Sequence, residues 1–156
     1  MNEAALIARH PTRLFPDALH ETATLEPPHP HLEGPEMIAA IRAGLAVGEF
    51  DALRELLGVT VEVLAQKIGV SVATLSRRRH DKAPLDSAHS DRIVRYARIY
   101  WQAAQLFDLD EPTAQAWLRR PALALGGETP LDHAETEPGA REVENLIGRL
   151  EYSVYA

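Results

Sequence analysis

Three consecutive arginines, Arg77-Arg78-Arg79, followed by Lys82, form the densest cluster of chemically useful side chains in this 156-residue chain. Guanidinium forks suit guanine edges and phosphate oxygens, so the chemistry they offer is the holding of polyanions. The chain as a whole carries −7, which at first argues against that reading. The charge is unevenly spread. Residues 67–98 hold eight bases and three acids, net +5, whereas 1–36 sum to −4, 37–66 to −2 and 99–156 to −6. Local charge, more than the total, decides attraction to nucleic acid.

Other chemistry fails on residue type or spacing. With no cysteine there is no disulfide, thiolate metal site or Cys nucleophile, which fits a reducing cytoplasm. His10, His20, His29 and His31 lie in a proline-rich stretch that offers no frame for aiming two rings at one ion. His80, His89 and His133 are far apart, with no serine in a nucleophile motif nearby. Gly126-Gly127 belongs to no phosphate-loop pattern, and Asp108 and Asp110 read as helix-start charge. No enzyme activity, metal or cofactor is expected. No run approaches the roughly 20 apolar residues of a membrane helix, and no signal peptide opens the chain, so a cytoplasmic protein is expected.

The elements that must position the arginines read as helices. Residues 1–35 hold six of the eleven prolines and keep no apolar period, so they are expected to form a flexible arm, although Leu6, Ile7, Leu14 and Phe15 could dock. Pro35 opens a helix with Met37, Ile38, Ile41 and Leu45 on one face, interrupted by Gly48. Phe50, Leu53, Leu56 and Leu57 form a second, stopped by Gly58. Thr60 caps a third over Val61–Ile68, and after Gly69, Ser71 caps a fourth running to about Arg79. Asp86 to Phe107 is the longest, with Ile93, Ala97, Tyr100, Ala104 and Phe107 on its apolar face. Asp110 caps a helix with Ala114, Trp117 and Leu118 facing in, stopped by Pro121. Thr129-Pro130 starts a short one, and Thr136 opens the last, which buries Val143, Leu146, Ile147 and Leu150. No alternating strand pattern occurs, and the fold class is all-α.

Ala65, Gly69 and Leu75 stand four and six residues apart, where a helix-turn-helix needs a small residue, a turn glycine and a packing residue. The exposed side of the second helix then presents Ser71, Val72, Thr74, Ser76, Arg77 and His80, with Arg78, Arg79 and Lys82 adjoining. The DNA-binding set is Ser71, Thr74, Ser76, Arg77, Arg78, Arg79 and Lys82. A helical hairpin with a solvated arginine run is the alternative. Arg78 takes a place that is usually apolar in such motifs, so the helix is expected to end early or turn outward there. Arg92, Arg95 and Arg98 are spaced for further phosphate contacts or for a solvated face.

The C-terminal stretch carries a second signal. Trp117-Leu118-Arg119-Arg120-Pro121, Leu125-Gly126-Gly127-Glu128-Thr129-Pro130-Leu131-Asp132, and the ending Arg149-Leu150-Glu151-Tyr152-Ser153-Val154-Tyr155-Ala156 place two tyrosines and a valine at the chain end. Such residues anchor interfaces, and docking of the tail on its own domain is the alternative. Together with Leu75-Ser76-Arg77-Arg78-Arg79 and Ser90 to Arg98, the region from about Phe50 onward resembles the Xre/MbcA/ParS antitoxins that partner RES-domain toxins. The resemblance implies a helix-turn-helix region (36–108) followed by a small helical toxin-binding domain (109–156). It implies an antitoxin whose terminal helix and tail cover the NAD-binding pocket of the toxin, and which represses its own operon as a homodimer or toxin-bridged assembly on operator DNA. Toxin contact falls, by the same resemblance, on Thr129, Pro130, Leu131, Arg149, Glu151, Tyr152, Val154 and Tyr155. Ser153 and His133-Ala134 depart from the glycine and the two leucines common in the family. A stand-alone helix-turn-helix regulator or partition-type factor, oligomerising through its C-terminal block, remains the alternative.

Overall fold

A computed structural model describes Leu14 and residues 33–155, with side chains as far as Ser153. The described residues form helices and no strands: α1 (Pro35–Ala43), α2 (Val47–Leu57), α3 (Val61–Ile68), α4 (Val72–Asp81), α5 (Ser87–Leu106), α6 (Glu111–Leu118), a 3-10 turn (Leu123–Leu125), α7 (Pro130–His133) and α8 (Glu137–Tyr155). The protein is all-α. The described residues divide into two compact units, one holding those up to Glu55 and Val59–Val94, the other Leu56–Gly58 and those from Arg95.

In the first unit, chain breaks fall where a backbone must bend left-handed. α1 stops at Gly44, with φ 91°, and not at Gly48, which lies inside α2. Gly44 passes so close to Leu85 that a Cβ would meet the Leu85 carbonyl. Next to it, Leu45 N donates to the buried Ser90 hydroxyl at 2.8 Å, and Leu45 O accepts from Leu85 N at 2.8 Å. On α1, Met37 and Ala40 are buried, whereas Ile38, expected inward, is 49% exposed. Leu14 is fully buried, and its N–H donates to the buried Glu49 carboxylate at 3.2 Å. The rest of the expected arm, with Leu6, Ile7, Phe15, His10, His20, His29 and His31, lies outside the described residues.

The second unit packs around the latter part of α5. Tyr96, Ala97, Ile99, Tyr100, Trp101, Ala103 and Ala104 are all buried, which covers much more of the helix than one stripe. The Tyr96 hydroxyl donates to Leu131 O at 3.2 Å, satisfying a buried polar group. Tyr100 is held well above the usual phenol range by burial, helped by Glu111. Phe107 and Trp117 tilt together at 6.2 Å. Asp110 starts α6 without capping a backbone N–H; its carboxylate accepts from the Thr113 hydroxyl at 2.6 Å. Gly139 lets α8 approach α7, since a Cβ there would run into the His133 carbonyl.

Candidate functional site

The helix-turn-helix is built from its caps. Thr60 accepts from Val63 N, Gly69 turns left-handed at φ 75°, and Ser71 accepts from Thr74 N. Leu64, Ala65, Ile68, Val70 and Leu75 are buried where α3 and α4 meet. The turn is braced from α5: Arg92 Nη1 donates to Ile68 O at 2.8 Å, and His89 Nε2 lies 3.1 Å from Gly69 O. These bonds satisfy carbonyls that a helix end leaves open.

The arginines differ sharply in their surroundings. Arg77 is exposed and, among the described residues, has no ion-pair partner; Ser76 and Lys82 are exposed as well. Arg79 pairs with Asp51 at 2.7 Å yet stays half exposed. Arg78 is tied down: it donates to Pro84 O at 2.6 Å and to Asp86 at 2.7 Å. The expected early end of the recognition helix at Arg78 is therefore corrected. α4 continues to Asp81, because those two acceptors satisfy the guanidinium at a place that is usually apolar. Lys82 closes the helix left-handed at φ 52°. Arg78, Arg79 and Lys82 line an open recess of about 370 Å³ with Gly44, Val47, Gly48 and Pro84.

Arg95 and Arg98 belong to a different system. Arg95 donates to Glu137 at 3.1 Å and to Glu135 O at 3.0 Å. Arg98 binds Glu144, and Glu137 at 3.3 Å. Of the two alternatives for Arg92, Arg95 and Arg98, phosphate contacts or a solvated face, neither describes what is seen: all three guanidinium groups make internal hydrogen bonds.

In the second unit, Thr129 accepts from Asp132 N and starts α7 with Pro130 at the first position. Pro130 and Leu131 are buried, Leu131 to 3% exposure, so their side chains belong to the core of the unit. His133 bridges two elements: its Nδ1 lies 2.8 Å from Glu128 and its Nε2 2.6 Å from Glu142. The hydrogen bonds to Glu142 and then Glu128 hold the imidazole above its usual pKa. Along α8, Arg149 and Glu151 are exposed and Tyr152 is 80% exposed. The side chains of Val154 and Tyr155 lie outside the described residues.

These features coincide with known sequences. Residues 36–98 match the family described as the antitoxin Xre-like helix-turn-helix domain, and residues 102–152 the antitoxin Xre/MbcA/ParS C-terminal toxin-binding domain. A protein named Antitoxin Xre from Photorhabdus laumondii is 33% identical over 80% of this chain and 84% of its own length. Another of that name, from Yersinia enterocolitica, is 32% identical over 81% and 86%. The chain belongs to the Xre antitoxin family. A Sphingobium protein named Prs ADP-ribosylating antitoxin is 24% identical over 78% of this chain and 81% of its own length.

Within this Xre-family frame, the structure gathers Ser71, Thr74, Ser76, Arg77, Arg78, Arg79 and Lys82 on α4 and its ends. Thr129, Pro130 and Leu131 sit at the start of α7, while Arg149, Glu151 and Tyr152 line the end of α8. Two features went unread in the sequence: the bridging role of His133 and the exposure of Leu123, which is 97%. Leu123 and Leu125 are two residues apart, and in a tight turn such neighbours cannot both point inward; that spacing was the available signal. Among the described residues no group of three or more His, Asp or Glu is arranged to hold a metal, and no helix is long and apolar enough to cross a membrane.

Proposed function

We propose that this Xre-family antitoxin binds a RES-domain toxin and occludes its NAD-binding pocket, and that its helix-turn-helix represses the operon encoding both. The observation that carries the reading is the end of α8, where Arg149, Glu151 and the 80%-exposed Tyr152 stand on a helix anchored in the toxin-binding region by Val143 and Ile147. An aromatic residue held out on a preformed helix is the kind of group that fills a partner's cleft. The name of the Sphingobium relative points the same way, since ADP-ribosylation draws its ADP-ribose from NAD. Arg149, Glu151, Tyr152, Val154 and Tyr155 make the direct contacts in this reading. The half-buried Thr129 at the start of α7 and the buried Pro130 and Leu131 complete the set, within a toxin-binding region taken as 109–156.

On DNA, the N-terminal end of α4 enters the major groove, with Ser71, Thr74, Ser76 and Arg77 nearest the bases. Arg79 and Lys82 reach phosphates, and Arg78 holds the end of α4 in place within a DNA-binding region taken as 36–108. Two such helices spaced by a helical turn require a homodimer or a toxin-bridged assembly.

Co-expression of the full chain with the product of the neighbouring gene, followed by size-exclusion chromatography and an NAD-consumption assay, tests this. The expected result is a stable complex without NAD consumption, and recovery of consumption when Glu151–Ala156 is deleted. Absence of a complex, with promoter binding intact, would instead identify a stand-alone regulator or partition-type factor.

A further inference from the structure

Leu123 is 97% exposed, at the tip of the 3-10 turn. Single exposed leucines are ordinary on protein surfaces. What sets this one apart is the closure of the backbone around it. Ala122 N donates to Glu128 O at 2.9 Å, and Ala122 O accepts from both Leu125 N and Gly127 N at 3.0 Å. Gly126 N donates to Leu123 O at 3.1 Å, and Glu128 N to Leu125 O at 3.3 Å. Leu125 is buried, and the turn packs against α8. His133 grips the Glu128 carboxylate at 2.8 Å. Beside Leu123, Gly126 and Gly127 are both left-handed, with open space where side chains would stand.

The turn thus holds a leucine rigidly outward, next to a stretch of bare backbone that another surface can approach closely. The entropy of ordering its backbone is already lost on folding, so a partner burying Leu123 gains the hydrophobic term against only the rotamer freedom of one side chain. The turn lies inside residues 102–152, matched to a toxin-binding domain, which makes a protein toxin the occupant. We propose that Leu123 is a second anchor for that toxin, entering an apolar recess one leucine wide and acting independently of the tail. The inference rests on the toxin-binding reading above.

The test titrates the product of the neighbouring gene, the toxin of the reading above, with full-length wild type, Leu123→Ser and Leu123→Met. Leu123→Ser is expected to bind about tenfold to a hundredfold more weakly, the change that burial of one leucine side chain implies. Leu123→Met, which keeps the apolar volume, should stay within about threefold. Melting temperature and promoter binding should not change. Equal binding by wild type and Leu123→Ser would overturn the anchor and leave the toxin reading standing, whereas no binding by wild type would remove both. If Leu123→Ser instead lowers the sedimentation coefficient of the chain alone, a second copy occupies the turn and the proposal is overturned.

Discussion

Arg77 on α4 and Arg98 on α5 are the same residue type, each in a row of arginines within one basic stretch, yet they do opposite work. Arg77 is exposed and unpaired among the described residues, whereas Arg98 is held by Glu137 and Glu144, about forty residues further along. Arg95 shares Glu137, and Arg92 is used on the carbonyl of Ile68. The net charge of +5 over 67–98 therefore overstates the charge available to DNA. A window of sequence counts cations without the carboxylates that fold back onto them. The difference also separates the two tasks a charge can perform here: Arg95 and Arg98 fix where α8 begins, and Arg77 remains for a partner.

The largest effect expected from this contrast is on stability. Arg98→Ala leaves Glu144 and Glu137 short of a partner in a partly buried setting. With Glu137 still meeting Arg95 and Glu144 still meeting Gln102, it should cost about 1–2 kcal/mol and lower the melting temperature by a few degrees. Calorimetry of the full chain measures this; an unchanged melting temperature would make the pair a solvated ornament and erase the distinction. The converse variant, Arg77→Ala, should leave melting within about a degree and weaken promoter binding by about tenfold or a little more. Gel-shift titration checks it, and a melting loss without an affinity loss would place Arg77 in the internal class. A smaller effect attends Lys82→Ala, which should reduce the slope of log affinity against log salt by about one, with little change in sequence preference. An unaltered slope would remove the recess at the end of α4 from the DNA-facing surface.

Much of this was legible in the sequence, because the fold is written in local signals. Thr60, Ser71 and Thr129 cap the helices their positions announce, and Gly58 and Gly69 end those they follow. Ala65 and Leu75 pack at the helix-turn-helix crossing as their spacing requires. What escaped was non-local. Gly44, and not Gly48, breaks α1 from α2, and the reason is the Leu85 carbonyl forty-one residues away, which no window around Gly44 contains. Tyr96 had no mark of its own; only its bond to Leu131 O explains a buried hydroxyl there. At the candidate sites the residue types were readable, while their availability was not, since Arg78 is engaged by Pro84 and Asp86 and Leu131 by the core.

His133 offers the finest comparison, because raising the pH removes the charge of its ring, whereas the guanidinium of Arg98 keeps its own. Glu142 and Glu128 on either side of the ring raise its pKa, so the folded chain holds that proton more tightly than the unfolded chain does. The resulting stabilisation is complete below the ordinary imidazole value of about 6.5 and disappears as pH rises through the higher folded value. With the ring and both carboxylates partly in solvent, the effect should stay below about 1 kcal/mol. Melting curves of wild type and His133→Gln, taken from pH 6 upward, should converge as the wild type loses its advantage, whereas Arg98→Ala should remain offset throughout. A constant gap between wild type and His133→Gln would mean that the imidazole acts here by shape alone. Convergence would show that the segment before α7 and α8 are joined through a titratable bridge, Glu128 to His133 to Glu142.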